Sequence, residues 1–248
     1  MSETTALAIE NRNGFTLVRL NRPEVKNAID QTMVDELHSL CEELERHPRI
    51  LIIAGTEGIF ASGADIAQLK ERRREDALRG INSTIFDRIA HLPAPVIAAV
   101  DGYALGGGLE LALAADFRLS TPSAKFGQPE ANLGIIAGAG ALWRLADCVG
   151  RPLAKEILLA GRILSGEEAQ AAHLITELHP AAELEAAAVA FAERILRLDP
   201  LAVRISKALM DVPRGAHPVV DTIAQAVLFE SPEKFDRMQA FLDRKNEA

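Results

Sequence analysis

The chain has 248 residues, enough for one large domain with a substantial core, or for such a domain with a C-terminal appendage. Apolar residues make up 48% and charged residues 25%, the balance of a soluble globular protein and not of a disordered one. A net charge of −8 disfavours nonspecific attachment to nucleic acid or anionic membranes, so a phosphorylated ligand needs a local basic patch.

Met1 to Asn11 has neither a basic n-region nor a long apolar h-region, so no signal peptide is expected. With only Cys41 and Cys148 there is no disulfide framework, and a reducing cytoplasmic setting is the expectation. Ala6–Ile9 and Phe15–Leu20 read as strands around a hairpin turn at Asn11-Arg12-Asn13-Gly14. Arg22-Pro23 ends the second strand, and Lys26-Asn27 lies in the loop that follows. A first helix is expected from Asp30 to His47, with Met33, Val34, Leu37, Leu40, Cys41 and Leu44 as its apolar stripe and Pro48 as its stop. Ile50–Ala54 and Val96–Val100 are continuous apolar runs, the pattern of strands covered on both faces. Between them come a strand-to-loop-to-helix junction at Phe60–Ile66, a dense charged run from Lys70 to Arg79, and helical periodicity from Ile81 to Leu92. The charged run reads by default as a solvated helix, with a phosphate-facing role for its arginines as the alternative.

The stretch Asp101–Glu110 organises the chain. An apolar strand feeds into the three glycines Gly106, Gly107 and Gly108, and an Ala/Leu-rich helix follows to Ala115. Glycine lets a ligand lie against the main chain, and a helix start presents unpaired N–H groups suited to a developing oxyanion. Glu110 shares a face with Gly107, and a carboxylate in so apolar a segment is expensive unless paired or used. The bland alternative is a tight turn with a capping glutamate. The glycines do not fit the dinucleotide pattern G-x-G-x-x-G, no H-E-x-x-H or paired Cys/His spacing points to a metal, and G-x-S-x-G is absent. Beyond it, Phe117–Ser120 and Lys125–Phe126 read as strands, Gln128–Ala131 as a helix start, Gly134–Gly140 as a loop and Ala139–Cys148 as a helix. Helices then dominate, near 151–160, 166–172, 181–197, 200–211, 217–229 and 232–244.

Three segments in order resemble the crotonase (enoyl-CoA hydratase/isomerase) superfamily: Phe60–Ile66, Gly102–Glu110, and Phe126–Glu130 followed by Leu133-Gly134-Ile135-Ile136. Arg22-Pro23 with Asn27-Ala28, and Met238 to Lys245, extend the similarity over nearly the whole chain. The resemblance implies an α/β fold, a superhelix of repeated ββα units over residues 1–195, and a C-terminal helical region, 196–248, for trimer assembly and pocket closure. It implies an acyl-CoA thioester as substrate, no separate cofactor and no metal, and a homotrimer or dimer of trimers. The oxyanion hole falls by motif on the backbone N–H groups of Ala64 and Gly107, which is where preorganised dipoles act on a forming enolate. The two glutamates that face the C2–C3 bond in hydratases match Glu110 and Glu130, so the expected reaction is hydration of a trans-2-enoyl-CoA. Other crotonase reactions, such as isomerisation, and a noncatalytic acyl-CoA-binding role are the alternatives.

Substrate or CoA contacts are expected from Arg22, Lys26, Ala28, Ala61, Asp65, Ile66, Gly106 and Trp143, with Arg22 and Lys26 as candidates for the phosphates. The sequence also departs from the family pattern. Ala137 stands where proline is usual, Ala67 where a basic residue often follows the G-A-D-I motif, and Gly140-Ala141-Leu142-Trp143 where relatives carry a Gly-Gly-Thr-Gln-like run. Trp143 has two readings, a core side chain or a wall that narrows the acyl pocket.

Overall fold

The computed structural model describes residues 5–246, so the first four residues of the stretch read for a targeting signal lie outside them. Strands β1 (Leu7–Asn11) and β2 (Phe15–Leu20) form the expected hairpin, with Leu7 opposite Leu20. After a 3-10 turn at Pro23–Val25, helix α1 (Gln31–Arg46) starts at Asp30, whose carboxylate accepts from the Met33 N–H. All six residues of its expected apolar stripe are buried. Strand β3 (Ile50–Ala54) precedes three short helices, α2 (Ile66–Glu71), α3 (Arg74–Arg79) and α4 (Ile81–Ala90). Then follow β4 (Val96–Val100), β5 (Tyr103–Leu105), α5 (Gly107–Leu113), β6 (Phe117–Ser120) and β7 (Lys125–Gly127). The helix start expected at Gln128–Ala131 is a 3-10 turn, Glu130–Leu133.

Helix α6 (Ala141–Ala160) joins two segments that the sequence separates. Gly150 supplies a non-helical kink (φ 75°, ψ 154°) ahead of Pro152, which lacks the N–H a straight helix would need. Strand β8 (Leu164–Ser165), helix α7 (Gly166–Ala171), strand β9 (Glu177–Leu178) and helix α8 (Leu184–Leu196) follow. The chain divides after Glu193 into two compact units. The second contains α9 (Pro200–Met210), α10 (Val219–Phe229) and α11 (Pro232–Asn246). Within it α9 packs on α10, and Arg237 donates to the Arg197 carbonyl at 3.0 Å. Val219, Ile223 and Val227 of α10 and Phe235, Met238, Phe241 and Leu242 of α11 are exposed.

The first unit is built from two sheets. One has six strands in the order β1-β2-β3-β4-β6-β9, parallel from β2 onward; the other joins β5, β7 and β8. Every residue of β3 and β4 is buried, as their unbroken apolar sequences require. The chain repeats one path three times: a strand of the large sheet, a corner, a short extended segment of the second layer, a second corner, a helical turn. It runs from β3 through Ala61 into α2, from β4 through β5 into α5, and from β6 through β7 into the turn at Glu130. Ala61 bridges Ala104, and β5 pairs with β7 in parallel, so the short segments stack in register. At the first corner of the second repeat, a Cβ on Gly102 would stand 2.1 Å from the Gly58 carbonyl oxygen, so only glycine fits. Fold class and repeat are those the sequence leads one to expect.

The buried Arg118 of β6 clamps the far end of α5. Its Nη1 donates to the Ala115 and Ala112 carbonyls at 2.5 and 3.3 Å, and its Nε to the Leu174 carbonyl at 2.8 Å. Two of these bonds go to carbonyls at or just past the C-terminal end of α5, where intrahelical donors run out.

Candidate active site

The stacked second corners open onto a cavity of about 690 Å³, lined entirely by residues of the first unit. At these corners Gly63 (φ 123°) and Gly106 (φ 51°) adopt backbone conformations that a side chain would strain. The starts of α2 and α5 thereby come together: a Cβ on Gly107 would lie 3.4 Å from the Ala64 nitrogen. Both residues line the cavity. Among the described residues neither the Ala64 N–H nor the Gly107 N–H has a backbone acceptor, so both remain available to a ligand.

Glu110 lies on α5, only 4% exposed. Its Oε1 accepts from the Ala139 N–H at 2.6 Å and the Ala141 N–H at 3.2 Å. Burial raises its pKa above the ordinary carboxylate value, opposed by those two hydrogen bonds and by the charge of Arg144. Glu130, at the start of the 3-10 turn, is 9% exposed. Burial, aided by the charge of Glu110, pushes its carboxyl up to about 7, against the pull of its own backbone N–H. With the Gln128 amide oriented to donate, its nitrogen lies 2.9 Å from both carboxylate oxygens of Glu130. Gly106 makes room for this carboxyl, since a Cβ there would sit 2.8 Å from Glu130 Oε1. The cavity thus holds two buried carboxyls of raised pKa beside two available backbone N–H groups, an arrangement able to move protons next to a polarised oxygen.

Of the residues expected at the site, Ala64, Gly107, Glu110, Glu130, Ile66 and Gly106 line the cavity. The others lie outside its lining. Ala61 is fully buried in the bridge to Ala104. Asp65 caps α2, accepting from Ala67 and Gln68 at 3.1 and 3.2 Å. Arg22, offered for phosphate, is held at 3.2 Å from Asp30 and 3.6 Å from Asp65, and it donates to the Ala28 carbonyl at 2.6 Å. Lys26 is exposed in its loop, in a left-handed conformation (φ 55°). Trp143 fits neither of its two readings: it is 48% exposed, outside the cavity lining, with the Arg144 guanidinium 4.9 Å from its ring centroid. At the start of α6 its position faces outward while Ala141 and Leu145 take the buried side.

Sequence reasoning did not single out Arg72 and Asn82, which both line the cavity, or the Ala139 and Ala141 N–H groups that hold Glu110. The charged run also breaks at the extended Arg72 (ψ 143°), which separates α2 from α3 and turns part of a nominally solvated helix toward the cavity.

The family described as Enoyl-CoA hydratase/isomerase matches residues 10–247. The chain is 36% identical to Enoyl-CoA hydratase domain-containing protein 2, mitochondrial, of Bos taurus, over 98% of this chain and 86% of that protein. It is 32% identical to the short-chain-enoyl-CoA hydratase of Clostridium acetobutylicum, over 98% and 97% of the two chains. The crystal structure of an enoyl-CoA hydratase from Bacillus anthracis superposes with a TM-score of 0.91 at 30% identity, covering 96% of each chain. Together with the repeated ββα path, these likenesses settle the kinship: the chain belongs to the enoyl-CoA hydratase/isomerase family of the crotonase superfamily.

Proposed function

We propose that the protein is a hydratase, adding water across the C2=C3 bond of a trans-2-enoyl-CoA to give a 3-hydroxyacyl-CoA. The observation that carries this reading is the pair of buried carboxyls, Glu110 and Glu130, lining one cavity with the Ala64 and Gly107 N–H groups. The thioester oxygen sits on those two N–H groups, which stabilise the negative charge it gains as C3 is attacked. Glu110 takes a proton from water as the water oxygen bonds to C3, and Glu130 delivers a proton to C2. The sum is one water added, with each carboxyl then restored by proton exchange. The environments suit this division. Glu110 accepts two backbone hydrogen bonds, which favour the charged base, whereas Glu130, at about 7, carries its proton over much of the neutral range.

The CoA head requires cations, and exposed Lys26 is the freer candidate of the two first-loop residues, because Arg22 is already engaged by Asp30 and Asp65. No helix among the described residues is long and apolar enough to cross a membrane. The test is turnover of crotonyl-CoA, followed as loss of the absorbance of the conjugated enoyl thioester. Folded protein that hydrates neither crotonyl-CoA nor any of a panel of longer and branched enoyl-CoAs refutes the proposal.

A further inference from the structure

The wall between the end of α2 and the start of α4 sets two polar side chains, Arg72 and Asn82, among apolar ones. Arg72 Nη1 donates to Asn82 Oδ1 at 3.0 Å, and both residues line the cavity. The bond fixes the amide orientation, and the Asn82 Nδ2 makes no hydrogen bond of its own among the described residues. Nδ2 stands 3.7 Å from the point a Cβ on Gly107 would occupy, a point itself 3.4 Å from the Ala64 nitrogen. The Asn82 amide is therefore next to the proposed seat of the thioester, with the Arg72 guanidinium one hydrogen bond beyond it.

Arg72 is partly buried and forms no ion pair among the described residues. The acid beside it, Asp76, is engaged elsewhere: Oδ2 accepts from the Arg73 N–H at 2.9 Å, and Oδ1 lies 3.8 Å from Arg79. Leu69, Arg73, Asp76, Ala77 and Ile81 also line this wall. An alkyl tail laid against it would strip water from the guanidinium and the amide and return no acceptor, which is unfavourable for buried donors. A carboxylate would meet a planar fork of charged N–H donors and an amide N–H beside it.

We propose that the preferred acyl group of this cavity carries a terminal carboxylate, received by Arg72 and Asn82. The proposal rests on the reading that the cavity takes an acyl-CoA, and it names the class of acyl group. The CoA phosphates are a second possible source of anionic oxygen. The whole pantetheine arm separates them from the thioester, however, and Asn82 stands at the thioester end.

The experiment compares binding of glutaryl-CoA and butyryl-CoA by calorimetry, with free CoA as the third ligand, to the wild type, Arg72→Met and Arg72→Lys. The wild type should bind glutaryl-CoA about 10- to 100-fold more tightly than butyryl-CoA, the range for a charge-assisted hydrogen bond. Arg72→Met should abolish that preference, and Arg72→Lys, which keeps the charge and loses the fork, should retain part of it. Equal affinities in the wild type, or a preference undiminished in a folded Arg72→Met, would overturn the proposal. Weakening of all three ligands alike would overturn it too, by assigning Arg72 to the CoA head. Turnover of trans-glutaconyl-CoA separates this inference from the reaction. Should the binding preference hold while neither glutaconyl-CoA nor crotonyl-CoA is hydrated, the hydratase reading falls and the carboxylate site stands.

Discussion

Replacing Glu130 with glutamine should make the protein more stable, and increasingly so as the pH rises. In the unfolded chain this carboxyl ionises near its ordinary value of 4.5, whereas in the fold burial holds its proton up to about 7. Below the first value both states are protonated and the residue is neutral in its effect. Between the two the folded state holds a proton that the unfolded state has released, so wild-type stability falls as pH rises through that window. Above about 7 the full penalty of a buried charge is present. That interval corresponds to about 3 kcal/mol, an upper bound because the Gln128 amide at 2.9 Å favours the charged form. Glutamine has nearly the same shape and no charge to bury. Urea denaturation of both proteins across the range from mildly acidic to mildly alkaline pH would measure the difference. It should be near zero at the acidic end, grow through the window and level off above it. In a chain of this size the plateau corresponds to a gain of roughly 6–12 °C in Tm. A difference independent of pH, or a variant that loses stability as pH rises, would refute the argument that burial dominates at Glu130.

In catalysis the same substitution should be damaging: Glu110→Gln and Glu130→Gln should each reduce kcat for enoyl-CoA hydration by about 10²–10⁴ with little change in binding. Exchange of the C2 proton of a hydroxyacyl-CoA in deuterated water should suffer more from Glu130→Gln than from Glu110→Gln, and the reverse order would exchange their roles. Trp143→Ala should cost clearly less than the roughly 3–5 kcal/mol of a core tryptophan and should leave acyl preference unchanged; a substrate panel beside a thermal melt checks both. The exposed apolar residues of α10 and α11 accord with the assembly that family resemblance implies, so light scattering at micromolar concentration should give the mass of three or six chains, and a clean monomer would count against it.

What could be read in advance was whatever glycine and burial dictate locally. Continuous apolar runs marked β3 and β4 because both their faces are covered, and glycines at 63, 102 and 106 marked corners where a Cβ has no room or no permitted conformation. Glu110 stood out as a carboxylate inside an apolar helix. The rest depended on tertiary placement. Strands β8 and β9 are two residues each, too short to display alternation. Main-chain donors such as Ala139 and Ala141 leave no trace in side-chain identity. Arg72 is indistinguishable in sequence from its solvated neighbours, because only the break after α2 decides which arginine meets the cavity. At Arg22 the charge was legible but its use was not, since Asp30 and Asp65, brought in by two different helix starts, had already claimed it. A lone tryptophan suggested a core or a pocket, yet the register of α6 turned it outward.

The Arg118 clamp has a consequence for the order in which the chain can mature as it is made. The local carbonyls at Ala112 and Ala115 are available as soon as β6 has been synthesised, but the Leu174 carbonyl lies 56 residues farther on. Strand β9, which pairs Leu119 with Glu177, arrives just after it. Until the ribosome has delivered that segment, the guanidinium meant to be buried keeps a donor in water and the edge of the large sheet stays open. The clamp behind the helix that carries Glu110 is therefore complete only once Leu174 has been made, through a residue outside the cavity lining, and a nascent chain released earlier would carry both glutamates with that clamp one bond short.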